Sequence, residues 1–244
     1  MSKNQIALFE DQLAAMAMET VKAEQTGAAF LSTKSGVLTY RGNPVTDNKL
    51  SCVILAAPVE RLYYDQRYDP TKIVGPKCFA IAQVATGMGP AKNVESPEHS
   101  TCEGCPKNEW GSATNGGKGK ACRETRRLLV IPADSIGSPE AVAVAEVAAL
   151  RPPVTSLKNY ATYVQTIAAT LKRPPLAVVT EIAVVSDAKT QFKVVFNMVK
   201  AIDDMAIIQA IMKRATDEVE KAIATAGAIQ ESDGDAPAPQ SDRF

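Results

Sequence analysis

The sequence predicts a β-rich α+β protein, and three observations support that class. Between residues 28 and 84 the chain is rich in β-branched and aromatic residues, which turn signals such as Gly42-Asn43-Pro44 interrupt. Segments 176–185 and 191–199 flank a polar turn and predict an antiparallel pair of strands. Apolar residues at helical spacing over 157–171, bounded by Ser156 and Pro174, predict a helix.

Taken in order, the elements alternate between short strands and a few helices. Segment 49–64 is rich in β-branched and aromatic residues, and its part 50–57 is a nearly continuous apolar run, as expected of a strand that is covered on both faces. Segment 141–150 is rich in Ala and Val, and its type is ambiguous. Predicted strands cover 28–32, 36–40, 50–57, 77–84, 126–131, 176–185 and 191–199, and predicted helices cover 3–24, 157–171 and a segment that Asp203 or Asp204 caps. This succession predicts an elaborated OB-like barrel with a zinc-stapled loop insertion and helices appended at both ends; a helix-decorated α+β sandwich is the competing layout.

Composition divides the chain into three parts. Residues 1–26 are expected to form an amphipathic helix, residues 27–229 a folded body that includes a glycine- and cysteine-rich loop at 95–125, and residues 230–244 a disordered acidic tail. No apolar run is long enough to span a bilayer, and Glu10 and Asp11 interrupt the N-terminal segment, so no signal peptide or membrane partner is expected. The five cysteines, an odd number, then indicate reduced thiols and a cytoplasmic location.

The cysteine-rich segment predicts a metal site. Cys102 and Cys105 are spaced so that both thiolates can face one ion, and Cys122 supplies a third. The fourth ligand is either His99, the only histidine of the chain, or Cys78; His99 is favoured because one short knuckle then supplies three ligands. A glycine-rich loop of this kind needs a staple to be ordered, so a structural zinc is expected. An iron–sulfur cluster would use the same thiolates, and zinc is favoured over it.

Aromatic and basic side chains near this segment predict a surface for single-stranded nucleic acid. Tyrosines interleaved with arginines can stack on bases and neutralise phosphates, and a basic strip adjoins the cysteines. The spacing of a nucleotide-binding phosphate loop is absent, because Lys118 and Lys120 are followed by Gly119 and Ala121. The candidate DNA-binding residues are Arg61, Tyr63, Tyr64, Arg67, Tyr68, Trp110, Lys118, Lys120, Arg123, Arg126 and Arg127.

The C-terminal tail predicts a contact with a protein partner. It ends in Ser241-Asp242-Arg243-Phe244, which places an aromatic side chain beside the free carboxylate at the end of an acidic tether. Such an end is suited to a hydrophobic pocket with a basic rim. Asp242 and Phe244 are the candidate partner-binding residues.

Together the Cys/His knuckle, the basic strip and the acidic tail with a terminal phenylalanine resemble phage replication single-stranded DNA-binding proteins. The resemblance covers the metal loop and the tail; it departs from the family pattern in Arg243 and in the order of the metal ligands. It implies sequence-independent binding of single-stranded DNA in replication, recombination and repair, contacts with replication or recombination enzymes through the tail, and a location in the infected bacterial cell.

Two other functions are weighed against this one. A metal-dependent or iron–sulfur nuclease of DNA metabolism would need clustered carboxylates, and the sequence shows no convincing cluster, so no catalytic residue is proposed and the chain is not expected to be an enzyme. A zinc-stapled structural or adaptor protein would use the metal only for folding. Self-association into a homo-oligomer and the choice between DNA and RNA are left open by the sequence.

Overall fold

A computed structural model of the chain describes residues 16, 29–66, 74–113 and 117–226. Several sequence predictions lie outside these ranges. They are the N-terminal helix over 3–24 (except for Met16), the candidate DNA contacts Arg67 and Tyr68, and the acidic tail with Asp242 and Phe244. None of the helices in the described ranges combines the length and the hydropathy of a membrane span.

The described residues form two sheets, and the larger one has eight strands and is curled into a half-barrel. Its order is β11-β10-β4-β8-β9-β1-β2-β3, and all its pairs are antiparallel except β1 with β9. The strands are β1 Ala29–Ser32, β2 Thr39–Tyr40, β3 Asn43–Pro44, β4 Lys49–Ala56, β8 Leu128–Pro132, β9 Ala148–Leu150, β10 Val178–Asp187 and β11 Gln191–Ala201. The β-rich α+β class is therefore confirmed, whereas the OB-like barrel and the zinc insertion are not confirmed.

A second sheet of three strands carries the cysteine-rich loop. Its order is β6-β5-β7, with β5 Val59–Tyr63 between β6 Cys78–Ala82 and β7 Cys122–Arg126. The β-rich segment 49–64 forms two strands. The strand expected over 50–57 is β4, which ends at Ala56, and Pro58, which has no N–H to donate, separates it from β5 in the other sheet. The chain returns between the sheets at Arg127, whose N–H donates to the Pro58 carbonyl oxygen at 3.0 Å.

Both faces of the large sheet are covered, which explains the continuous apolar run of β4. Cys52 and Ile54 belong to one buried cluster, whereas Val53 and Leu55 belong to the other. Helix α2 (Leu157–Leu171) packs in the first cluster, where the ring of Tyr160 lies 5.2 Å from that of Phe196. Helix α3 (Met205–Ala224) packs in the second. Alternate residues of a strand point to opposite faces, so a doubly covered strand has no polar alternation.

The helix ends confirm some predictions and correct others. Helix α3 begins after Asp204, whose carboxylate accepts from the N–H groups of Ala206 and Ile207 at 2.8 and 3.2 Å. Helix α2 begins after Ser156 as predicted, but the Ser156 side chain makes no capping bond, because its buried hydroxyl accepts from the Val194 N–H at 2.9 Å. The ambiguous segment 141–150 is divided between helix α1 (Pro139–Val144) and strand β9.

Candidate metal centre and adjoining surface

The loop between β6 and β7 folds back over one face of the three-stranded sheet. Met88 and Cys102 are buried there against Val59 and Ala80. The Cys102 N–H donates to the Met88 carbonyl oxygen at 2.8 Å, which joins two distant parts of the loop. Few other apolar side chains of the loop are buried, so this long excursion has a small hydrophobic core of its own.

Strand register brings Cys78 and Cys122 to the same end of this sheet. Each is the first residue of its strand, and each pairs with Tyr63, the last residue of the central strand β5. Residues directly opposite each other in an antiparallel pair project from the same face. Cys78 and Cys122, which are 44 positions apart in the printed sequence, therefore lie on one face and at one end.

The segment Cys102–Cys105 forms a compact knuckle over that face. Gly104 has φ +74°, a backbone conformation that side chains disfavour, and it allows the chain to turn between the two cysteines. Asn108 contacts both ends of the turn. Its backbone N–H donates to the Cys105 carbonyl oxygen, and its side-chain amide donates to the Cys102 carbonyl oxygen, both at 2.8 Å. Both cysteines are buried.

Four of the five cysteines line one cavity, namely Cys78, Cys102, Cys105 and Cys122. Burial, together with the nearby Cys102, Cys78 and Cys105, raises the pKa of the Cys122 thiol to about 12. Burial likewise raises the pKa values of Cys78 and Cys102, each of which also feels the charge of Cys105. The thiols are thus close enough to interact, yet among the described residues no three His, Cys, Asp or Glu side chains already have the arrangement of metal ligands.

His99 lies at the edge of the same cavity and is exposed. Its Nδ1 stands 3.0 Å from the Thr101 carbonyl oxygen and 3.3 Å from the Thr101 backbone nitrogen, so this ring nitrogen is engaged within the loop. Cys78, in contrast, raises the pKa values of both Cys102 and Cys122 through its charge. Of the two candidates for a fourth ligand, Cys78 is the one in electrostatic contact with the other thiols.

Arg61 lies beside the thiols and is itself buried, with 8% of its surface exposed. Its Nε and Nη2 donate to Glu124 at 2.9 and 2.7 Å. Burial lowers the pKa of Arg61, but the hydrogen bonds and charge of Glu124 outweigh burial, and the net pKa is raised. Arg61 also lowers the pKa of Cys102 against the effect of burial, although its Nη1 has no partner at hydrogen-bond distance among the described residues.

Two further predicted DNA contacts are buried in the same way. Tyr63 is 5% exposed, with the Lys107 ammonium 5.2 Å from its ring centroid. Arg127 is 4% exposed and donates to Glu60. Because side chains in these positions do not face solvent, Arg61, Tyr63 and Arg127 serve the packing of the protein in this structure, and none of the three offers a nucleic acid a surface.

The other predicted contacts lie nearer to the solvent. Trp110 is 81% exposed, and the Lys120 ammonium lies 5.5 Å from its ring centroid. Lys118 is exposed, whereas Tyr64 and Arg123 are half-buried. Arg126 is also half-buried, and its guanidinium donates to the Ala57 carbonyl oxygen at 2.7 Å.

Sequence reasoning missed a buried charge cluster next to this region. Glu60 is 2% exposed and accepts hydrogen bonds from Arg127 and from Arg151 Nε, the latter at 2.6 Å. The three residues come from separate segments, and their spacing in the sequence carries no signal that pairs them. The available clue was Glu60 itself, because a glutamate in a largely buried strand requires a partner.

No family model matches this chain. No curated protein and no solved structure is significantly similar to it. Its function has to be inferred from its own residues and their geometry.

Proposed function

We propose that this protein binds single-stranded DNA without sequence preference, through a surface centred on Trp110. The observation that supports this proposal best is the pairing of a largely exposed tryptophan with a lysine ammonium over its ring. An exposed indole offers a stacking face to any base, and the adjacent cation can neutralise the phosphate that follows.

The loop holds Trp110 in a defined position. The Gly111 N–H donates to the Gly119 carbonyl oxygen at 2.9 Å, and the Ala113 N–H donates to the same oxygen at 3.1 Å. Lys120 is held from the other side, since its ammonium donates to Asn108 Oδ1 at 3.2 Å, and Asn108 also braces the cysteine knuckle. A platform that is already ordered loses less conformational entropy when a strand binds.

The proposed interface is smaller than the set of residues that the sequence suggested. It consists of Trp110, Lys118 and Lys120, with Tyr64 and Arg123 at its margin; Arg67 and Tyr68 belong to the same proposal but lie outside the described residues. Arg61, Tyr63 and Arg127 are left out because they are buried. Arg126 is left out because its guanidinium is bonded to the backbone at Ala57.

The remaining parts of the replication hypothesis are carried as proposals. A zinc ion bound in the loop would hold the surface around Trp110 in place. If the sheet binds DNA as an OB fold does, one of its faces would extend the surface that contacts the strand. The acidic tail with Asp242 and Phe244 would recruit replication or recombination enzymes. In this scheme the protein acts by favouring the unpaired form of DNA and catalyses no reaction.

Intrinsic fluorescence tests the proposal directly, because Trp110 is the only tryptophan of the chain. Titration with an oligo-dT strand should quench its emission, with weaker quenching by a duplex of the same length. Trp110→Ala should weaken binding, measured by anisotropy of a labelled strand, by about 1–3 kcal/mol, which is roughly 5- to 150-fold. Trp110→Phe should retain most of the affinity, because phenylalanine keeps a stacking face.

Salt dependence separates phosphate contacts from stacking. Lys118→Gln should reduce the slope of log affinity against log salt by about 0.7, the value for one phosphate of a single strand. Lys189→Gln is the matched control, since Lys189 is an exposed lysine in the β10–β11 turn, outside the proposed interface. Equal slopes for the two variants would contradict the assignment of Lys118.

An adaptor protein is the alternative that the same tryptophan favours, because exposed tryptophans are also common anchors at protein interfaces. Absence of binding to oligo-dT at low salt would overturn DNA binding and leave the adaptor hypothesis. Cleavage of the labelled strand in the presence of magnesium would overturn the non-enzymatic proposal in favour of the nuclease.

A further inference from the structure

We propose that Cys78, Cys102, Cys105 and Cys122 bind a structural zinc ion as four thiolates, with Arg61 as a hydrogen-bond donor to the sulfur shell. This assigns the fourth position to Cys78 and leaves His99 outside the ligand set. The inference concerns the three-stranded sheet and its loop, and it stands whether or not the protein binds DNA.

The fold itself brings the four side chains together. Two of them begin neighbouring strands of one sheet, in register with Tyr63. The other two belong to the knuckle that covers the same face, and all four line one cavity. Two residues at strand ends and two on a tight turn are a donor set suited to a tetrahedral ion. Zinc binding would require these side chains to move, because the thiols do not yet have the arrangement of ligands.

Arg61 supplies an independent observation that points to an anionic centre. Its Nη1 is buried and has no partner in the described part of the chain, although Glu124 holds the other side of the guanidinium. A buried N–H without an acceptor is costly. Four thiolates around a divalent cation leave a net negative charge, and their sulfur lone pairs would accept from this group. Donors of this kind commonly orient metal ligands.

The composition of the loop gives the metal a structural purpose. All four cysteines are free thiols, and only a few apolar side chains anchor the loop to the sheet. On binding, each thiol gives up its proton to solvent, and the thiolate sulfur donates an electron pair to zinc. Four protein ligands leave no open coordination position, so the ion would have no catalytic role.

The first experiment measures zinc in full-length protein that has been purified without chelators, by elemental mass spectrometry. We expect stoichiometric zinc in the native protein and its loss in Cys78→Ser and Cys122→Ser. His99→Ala should keep the full zinc content. Cys52→Ala is the matched control for removal of a thiol, because Cys52 is buried in the eight-stranded sheet and is not part of the cavity.

The ligand assignment would be overturned if His99→Ala lost its zinc or if Cys78→Ser retained it. A native protein that takes up no zinc even after reconstitution would remove the site altogether. Iron with strong visible absorption in the purified protein would replace zinc by an iron–sulfur cluster.

A second measurement covers the case in which the serine variants fail to fold. The native protein is loaded with cobalt(II), whose sulfur-to-metal charge-transfer intensity reports the number of thiolates. A four-thiolate spectrum supports the proposal, whereas a spectrum of three thiolates and one imidazole overturns it. Arg61→Met should keep the zinc but accelerate its transfer to a chelator severalfold, and an unchanged transfer rate would refute the role of Arg61.

Discussion

The buried Glu60 cluster allows one prediction to be worked out in detail. Glu60 lies in β5, next to the point where the chain passes between the sheets, and its side chain is 3% exposed. Arg151 donates to its carboxylate from Nε and Nη2, at 2.6 and 3.0 Å, and Arg127 donates through Nη2. Glu60→Gln preserves the shape of the side chain, removes its charge and turns an amide toward two guanidinium groups.

Removing one partner from a buried ion pair costs about 3–5 kcal/mol, because the remaining charge is left without compensation. Arg127, with 5% of its side chain exposed, should contribute most of this loss. Arg151 is 17% exposed and can regain some hydration, which favours the lower end of the range. Against a total stability of about 5–15 kcal/mol, the loss is large. For a protein of this size it corresponds to a fall of about 6–20 °C in Tm.

Urea unfolding followed by circular dichroism measures the effect, since the exposed Trp110 is a poor reporter of unfolding. Glu181→Gln is the matched control, because Glu181 forms a surface ion pair with Lys49 at 3.7 Å and should lose less than about 1 kcal/mol. If the two variants lose the same free energy of unfolding, the Glu60 cluster does not stabilise the junction between the sheets as inferred.

The same cluster predicts how stability depends on pH. Burial raises the pKa of Glu60, but the hydrogen bonds and charges of Arg151 and Arg127 outweigh burial and hold the net pKa below its ordinary value of 4.5. The stabilisation is therefore complete above the unfolded pKa, and it is lost as the pH falls through the lower folded pKa. Glu60→Gln should flatten the fall in urea midpoint below about pH 4.5; an unchanged profile would contradict this account.

Two further substitutions test local features of the fold. Asp204→Ala should lower the free energy of unfolding by about 0.5–2 kcal/mol, because it removes the cap of α3. Asp203→Ala, at the exposed neighbouring residue, should lower it clearly less. A lower urea midpoint for Asp203→Ala than for Asp204→Ala would show that the cap is assigned to the wrong residue. Ser156→Ala should cost about 1–3 kcal/mol, since it leaves the buried Val194 N–H without an acceptor. The exposed Ser186→Ala is its control, and equal thermal midpoints for the two serine variants would refute the role of that bond.

Much of the secondary structure was predictable because its signals are local. Helix α2 has the predicted bounds, set by apolar spacing and by the prolines that follow it. The cap at Asp204 and the hairpin of β10 and β11 follow from short polar segments. The strand expected over 50–57 matches β4, but nothing local shows that β4 and β5 enter different sheets, because that depends on pairing with distant strands.

The candidate metal centre was also predictable only in part, namely where its residues are close together in the sequence. The spacing of Cys102 and Cys105 alone predicts a pair of thiols that face one ion, and a nearby histidine made His99 the favoured partner. Strand pairing instead carries Cys78 to the same cavity, across a segment in which no motif links it to the knuckle. A sequence shows which residues can be ligands, but register decides which of them meet.

The predicted basic surface shows most clearly that burial cannot be predicted from local sequence. The concentration of aromatic and cationic residues can be read from the sequence, because composition and spacing are properties of neighbouring residues. The burial of Arg61, Tyr63 and Arg127 and the exposure of Trp110 follow only from how the chain packs in three dimensions. Burial depends on which distant segments pack over a strand. The arginines also need carboxylate partners: strand pairing brings Glu124 to Arg61, and the passage of the chain between the sheets brings Arg127 to Glu60.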